Sequence, residues 1–383
     1  MVTIIRAADG HTGIPAHFPI LLTTGMEIIE PAFDYLHEIA TLYGRTHSRE
    51  TLRTYAEHLY DWFDSLEQSG ISWREVRTET IAAYRNRMLE QPSAYTRRPY
   101  ARSTINDRVR TICRFYEWAH AHGWIDERPV LYADLAITKR RRQGFLAHLG
   151  QRATVRANAL TVAEFETLPR PLRIDELKHL FSHLDMPYRL MAEWALATGM
   201  RRMELCALAV EQVPDVCAID AESVPLIGIS LTATKGARPR AVYPPIRLID
   251  RTHWYIGEDR AALVRMRTRR RSPYQPPANL FLNHYGNPVT RARLTAVLAA
   301  AFDAAAIKGS LHWLRHTFAM TMLVRLQAQA AVNPAINPLK VLQVLMGHSS
   351  IQTTSIYLRC VELHDREIAE SLAYLYGEAI DGG

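Results

Sequence analysis

The chain is poor in cysteine, has no long apolar run, and goes through one central stretch without an acidic residue. Its four cysteines, Cys113, Cys206, Cys217 and Cys360, fit no zinc-ligand spacing and each sits among apolar neighbours. They read as reduced core residues of a cytosolic protein, not as a disulfide framework. The longest aliphatic stretches, such as Ala296 to Phe302, fall far short of the ~18 apolar residues that a membrane span needs. The opening MVTIIRAADGHTG has no apolar segment behind a basic start, so it is not a secretory signal. No phosphate-cradling glycine loop and no acidic metal cluster is present, so neither ATP nor a metal is called for. Internal repeats and low-complexity tracts are also missing.

What is present is enough for a substantial core. Of 383 residues, 48% are hydrophobic and 22% charged, which excludes wholesale disorder and suits two or three domains. The formal charge of +7 favours a polyanionic partner without proving one.

Residues 1–25 show no clear periodicity and read as a tail or arm. Leu52, Tyr55, Leu59, Trp62, Phe63 and Leu66 then mark one helical face, with Ser48 as a candidate cap and Gly70 as a stop. Ile81, Tyr84 and Met88 suggest a second helix. Ile105, Val109, Ile112, Tyr116 and Ala119 give a third that ends at Gly123. Together they predict a small all-α domain over 26–130. The stretch 131–170 reads as a basic linker: from Thr138 to Ala163 there are six basic residues and no acidic one. Such a run is either solvated or tracks phosphates. A second basic cluster, Arg265 to Arg271, equally suits the wet end of a helix. Residues 171–383 are mostly helical, with β-rich segments 226–232 and 240–246 flanking the turn TKGARP, and a strand end and turn at 281–290. The fold class expected is mainly α with a small β-hairpin.

Four clusters in this second domain carry chemistry. In ATGMRRMELCAL, Arg201 and Glu204 are three apart and share a helix face, which alone would suit a capped helix with an ion pair. Arg202 is expected to point to solvent. In TATKGARP, Lys235 occupies a tight turn, where an ammonium is either solvated or free to swing onto a ligand. In LHWLRHTFA, His312 and Arg315 share a face and His316 lies four from His312. A zinc-protease pair would need Glu where Trp313 stands, and an Arg beside two His attracts an anion instead. In LMGHSSIQTTSIYLRC, His348 follows Gly347 and Tyr357 lies nine residues on, with Thr353 and Thr354 as turn or cap residues. Each cluster is weak alone. As a set they share one logic: cations bind a phosphodiester, a His accepts the tyrosine proton, a Lys protonates the leaving oxygen, and Tyr attacks.

In this order and at these separations, TGMRRMEL, TATKGARP, FLNHYGNPVT, LHWLRHTFA and LMGHSSIQTTSIY resemble the tyrosine recombinases, or phage-integrase type site-specific recombinases, over roughly residues 45–376. The resemblance implies an N-terminal SAM-like core-binding bundle and an α+β catalytic domain that clamp double-stranded DNA. Four protomers would assemble on paired sites, in the cytoplasm on the nucleoid, with helper proteins in some systems. It implies that Arg201 and Arg315 hold the scissile phosphate and that Lys235 is general acid to the 5′-oxygen. It makes His312 the general base or a shared acid–base. His348 bonds a non-bridging oxygen, Tyr357 forms the 3′-phosphotyrosine, and Glu204 supports the site without reacting.

Two departures stand out. About ten residues more than the family norm separate Arg315 from His348, and AQAAVNPAINP is expected to lengthen a loop there. The 131–170 linker is also long, allowing either wide domain separation or an extra helix. Beyond Tyr357, Val361, Ile368, Leu372 and Leu375 form an apolar stripe suited to packing on its own domain or docking into a neighbour. A type IB topoisomerase-like enzyme and an architectural DNA-binding protein remain as competing readings. The helical module before the catalytic domain disfavours the first, and the full reactive set disfavours the second.

Overall fold

Leu52, Ala56, Leu59, Trp62, Phe63 and Leu66 are all buried along one face of helix α2, Arg49–Ser69. A computed structural model describes residues 1–8, 12–41, 49–94, 96–136, 154–164, 168–215, 227–232, 234, 239–270, 273–348 and 350–363. They fall into two units, Met1–Glu166 and Thr167–Gly383. In the first, α2 packs on α4, Arg102–Ala121, with α1, Glu30–Thr41, and α3, Thr78–Glu90, against them. Each large apolar side chain buried here contributes ~1.5–3 kcal/mol. Asp61 of α2 accepts from Tyr84 Oη of α3 and from Arg108 Nη1 of α4, each at 2.5 Å, so one carboxylate ties three helices together.

Two stretches differ from the sequence reading. Residues 1–25, expected as a tail, contain strands β1, Thr3–Arg6, and β2, Pro19–Leu22, paired antiparallel from Thr3↔Leu22 to Arg6↔Pro19. Phe18, Leu21 and Leu22 are buried with the helices, and Val2 N donates to Asp64 Oδ1 of α2 at 2.9 Å. The strands are only four residues long and flanked by Gly and Pro, so no alternation stands out in the sequence.

The stretch 131–170, expected as a linker, contains β3, Tyr132–Ala136, paired antiparallel with β4, Thr154–Asn158, where an extra helix was the alternative. The chain after β4 then runs back along the bundle. Asn106 of α4, fully buried, donates to Val162 O and accepts from Val162 N, both at 2.8 Å, while Arg85 Nη1 donates to Leu160 O. The two-way amide bond holds in place a segment whose composition reads as linker. Lys139 to Arg152, the basic part of that stretch, lie outside the described residues.

The second unit begins with α5, Ile174–Ser182, α6, Tyr188–Thr198, and α7, Arg202–Ala207. Strands β5, Ile229–Leu231, and β6, Arg240–Val242, pair antiparallel and are shorter than the β-rich segments around them. Helix α8, Ile246–Tyr255, continues through a π-turn at Ile256–Arg260 into α9, Ala261–Arg270; there Arg265 and Arg269 are exposed while Arg267 donates to His284 O. The turn at 283–287 leads into α10, Arg291–Ala304, whose cap Thr290 accepts from Arg293 N at 3.2 Å. Trp194 of α6 lies at the centre of the main core and donates through Nε1 to Thr252 Oγ1 of α8 at 3.0 Å.

A second core joins α11, Leu311–Val332, to α12, Pro338–Met346, and α13, Ile351–Leu363. The surplus AQAAV extends α11 to Val332, leaving only Asn333–Asn337 as connection. Alanine-rich sequence prefers helix to loop, and Asn337 then caps α12 by accepting from Lys340 N at 3.1 Å. Residues 364–383, including most of the apolar stripe, lie outside the described residues. No described helix is long and apolar enough to cross a membrane.

Asn106→Ala removes both bonds to Val162 and strands that backbone pair, a loss of about 1–3 kcal/mol. Hydrogen exchange should rise at 158–164 while the α2–α4 amides keep their order of protection. Unchanged exchange at Val162 would show that the β3–β4 hairpin alone holds the segment.

Candidate active site

The C-terminal end of a helix leaves carbonyl oxygens without intrahelical donors and carries partial negative charge. Two such ends, those of α6 and α12, meet here. Arg315, on α11, donates from Nη1 to Gly199 O beyond α6, and from Nη2 to Met346 O at 2.6 Å. Arg240, at the start of β6, donates from Nη1 to Leu345 O at 2.6 Å and from Nη2 to Gly199 O at 3.5 Å. Arg201, the N-cap residue of α7, donates from Nη2 to Gly347 O at 3.0 Å.

Glu204 lies beneath these cations with its side chain fully buried. It accepts from Arg201 N at 2.7 Å and Nη1 at 3.1 Å, and from Arg240 Nε at 3.1 Å and Nη2 at 2.7 Å. Burial pushes its carboxyl up, but the bonds and charges of Arg240 and Arg201 outweigh this and leave its pKa below the usual 4.5. Three guanidinium groups against one carboxylate leave a local surplus of two positive charges. Burial, and then the charges of Arg201 and Arg240, lower the pKa of Arg315, yet its guanidinium stays charged at neutral pH.

Gly347 shows how tight this arrangement is. Its φ is 58°, in the left-handed region, and a Cβ there would come within 2.3 Å of Arg240 Cδ. Only glycine lets the end of α12 reach all three arginines.

Tyr357 of α13 is 3% exposed, and its ring lies 6.2 Å from that of His348, with 9° between the planes. His348 Nε2 is 3.2 Å from Arg315 Nη2, and its Nδ1 is 3.0 Å from Thr354 Oγ1. Arg315 can only donate, so Nε2 accepts and the ring proton sits on Nδ1, facing Thr354. His316 Nδ1 is 3.0 Å from Tyr357 Oη, and the His316 and His312 ring centroids are 4.4 Å apart. Burial first, with Arg315 the largest neighbouring charge, lowers His348 to about 4. Burial, then His312 and Arg315, lowers His316 to about 4. The protein packed behind its ring, then Arg315 and Arg201, lower His312, although His312 itself opens to solvent. Burial raises the Tyr357 phenol, with Arg315 opposing. At neutral pH the imidazoles are therefore uncharged and the phenol keeps its proton.

Of the sequence candidates, Arg201, Glu204, His312, Arg315, His348 and Tyr357 come together at this site. Lys235 lies outside the described residues, in the connection between β5 and β6. Arg202 is exposed, as expected, and bonds Thr295 Oγ1 at 2.6 Å. Sequence reasoning missed Arg240, which has no helical spacing to link it to the rest. Thr354 read as a turn or cap residue, yet it is buried inside α13, and its place three before Tyr357 already put both on one face. His316 was weighed as a metal partner and as a neighbour of an anion, not as a contact of Tyr357. Among the described residues no cluster of His, Cys, Asp and Glu is arranged to hold a metal ion.

The family model for the phage integrase family matches residues 170–362, half of the chain. The chain belongs to the phage integrase family of tyrosine recombinases. A second model, the phage integrase N-terminal SAM-like domain, matches residues 39–123 of this recombinase-family chain. A tyrosine recombinase XerC of Halalkalibacterium halodurans is 28% identical over 327 residues, covering 85% of this chain and 91% of the relative. A tyrosine recombinase XerD of Corynebacterium glutamicum is 26% identical over 303 residues, covering 70% and 90%. A solved lambda integrase dimer bound to a COC′ core site superposes with a TM-score of 0.54 at 15% identity, over 86% of this chain and 94% of that one. The XerH recombinase bound to palindromic difH in a post-cleavage complex gives 0.51 at 18%, over 85% and 80%. These structural likenesses establish the fold.

Glu204→Gln leaves the guanidinium groups without their counter-charge and should cost ~3–5 kcal/mol in denaturant unfolding. The folded state favours the carboxylate form, so the advantage of the parent protein is full above pH 4.5. It closes as pH falls through the lowered folded value. A stability gap that stays constant down to pH 3 would contradict the assignment.

Proposed function

We propose that the protein is a site-specific DNA recombinase that cuts and rejoins strands through a 3′-phosphotyrosine on Tyr357. The observation that carries this reading is the placement of Tyr357 within its own chain: its hydroxyl touches one neutral imidazole, and its ring stacks on another that Arg315 holds.

A phosphodiester entering the pocket would meet fixed cations whose surplus charge matches its own and the charge that builds on its oxygens. Arg201 and Arg315 take the non-bridging oxygens with His348 beside them; Glu204 holds Arg201 together with Arg240, and Gly199 O and Met346 O hold Arg315. The phenolic O–H gives its proton to an imidazole of the site as the oxygen forms the new bond to phosphorus and the bond to the 5′-oxygen breaks. Lys235 delivers a proton to that oxygen, and His312 serves acid–base transfer from the open side. Each positioned acid or base supplies about 10²–10⁴-fold, and charge stabilisation and alignment provide the rest. The phosphotyrosyl ester conserves the energy of the broken bond, so rejoining needs neither ATP nor a metal.

The partner is double-stranded DNA. The lambda integrase tetramer on a Holliday junction, which this chain matches with a TM-score of 0.51, supports a tetramer on paired sites. The reading places the protein in the cytoplasm, on the nucleoid.

Incubating the full chain with nicked duplexes of randomised core sequence should capture an SDS-stable adduct whose phosphotyrosyl peptide maps to Tyr357. Tyr357→Phe should bind the captured duplex with unchanged affinity and form no adduct. Capture at another residue, or none at all, would refute the reading, and relaxation of supercoils without paired sites would redirect it to nicking and closing.

A further inference from the structure

Helix α11 sets His312, Arg315 and His316 on one face at spacings of three and four. The resemblance assigns the base to His312, yet the imidazole in contact with the nucleophile is its neighbour one turn on. His316 Nδ1 stands 3.0 Å from Tyr357 Oη, within the range that proton transfer requires. The His312 ring packs edge-on against the His316 ring, on the solvent side of it.

We infer that His316, not His312, receives the proton of Tyr357 during strand cleavage and returns it when the strand is resealed. The inference rests on the recombinase reading and deepens it. In cleavage the phenolic O–H bond breaks as the O–P bond forms. The proton passes to Nδ1 of His316, whose own ring proton sits on Nε2, and the 5′-oxygen leaves with a proton from the general acid. Resealing reverses each transfer, so the same imidazolium protonates the departing phenol.

The surroundings fit this role. His316 is held uncharged at neutral pH, so one ring nitrogen carries a lone pair, and in the Nε2–H tautomer it is Nδ1 that faces the phenol as acceptor. The charged and titratable groups around it are His312 and Arg315 on α11, Tyr357 on α13, and His348 after α12. The cation formed on His316 would sit beside Arg315 and so would not persist. His312, exposed and 4.4 Å away, is the nearest group through which that proton reaches solvent. A scissile phosphate adds negative charge to the same cage and strengthens the base at the moment it is needed.

The test uses His316→Asn, whose side-chain oxygen can keep the hydrogen bond near the Nδ1 position but cannot hold the proton, alongside His316→Ala and His312→Asn. The substrate is the nicked duplex captured by the wild-type chain. Both His316 variants should bind it normally and form the Tyr357 adduct about 10²–10⁴-fold more slowly. Added imidazole should partly restore His316→Ala. The His316→Asn rate should keep climbing with pH toward the range of a free phenol, about 10. A duplex with a bridging sulfur as leaving atom, which needs no general acid, should not relieve the His316 defect.

Wild-type-like cleavage by His316→Asn would reduce His316 to a positioning contact and overturn the inference. So would finding the pH signature and imidazole rescue at His312 instead. Failure of the wild-type chain to form any adduct is a separate result and would remove the recombinase reading itself.

Discussion

Three guanidinium groups are kept within one small volume by the carbonyl ends of two helices and one buried carboxylate. Like charges at this separation repel, and a buried cation without partners is costly. The structure answers both problems with backbone. Gly199 O, Leu345 O, Met346 O and Gly347 O all face the arginines, and Glu204 cross-links two of them. The helix ends gain the donors they lack and the arginines gain acceptors that cannot titrate away. What is left over is positive charge aimed at an anion, with its geometry set before the anion arrives. Burial first, with these fixed cations adding to it, favours the neutral forms of the histidines.

Helix α11 connects this charge to the nucleophile. Leu311 and Leu314 belong to the main core, while Ala319, Met320, Leu323 and Leu326 belong to the core shared with α12 and α13. Arg315 sits at the junction of the two. The nucleophile's distance to His316 is thus set by how α13 packs on α11, while the arginines take their acceptors from Gly199, Glu204 and residues 345–347, none of them on α13. The surplus that carries α11 on to Val332 lies beyond Leu326, the last α11 residue of that core, and is mostly exposed, so it leaves the reactive face unchanged.

The parts of the site legible in the sequence were those with helical spacing: Arg201 with Glu204, and His312 with Arg315. Tyr357 and Lys235 drew attention only as members of a set, because a single tyrosine or turn lysine carries no periodic signal. Arg240 stayed hidden because its partners come from α6, α7 and α12, joined only in three dimensions. In the fold, the long amphipathic helices around Trp62 and Tyr116 were plain. The two N-terminal hairpins were not: four- and five-residue strands bordered by Gly, Pro or a basic run show too few alternations to stand out. The end of α11 was misread for another reason, since prolines at 334 and 338 suggested a loop that alanine-rich sequence had postponed by several residues.

Tyr357 shares one polypeptide with the arginines it lies against, and this bears on inheritance of a defect within an assembly. If that arrangement persists on DNA, a subunit lacking its tyrosine cannot be complemented by a neighbour lacking its arginines, because neither molecule contains a whole centre. Mixed populations would then lose cleavage in proportion to the faulty copies, each damaged subunit silencing only the strand it occupies.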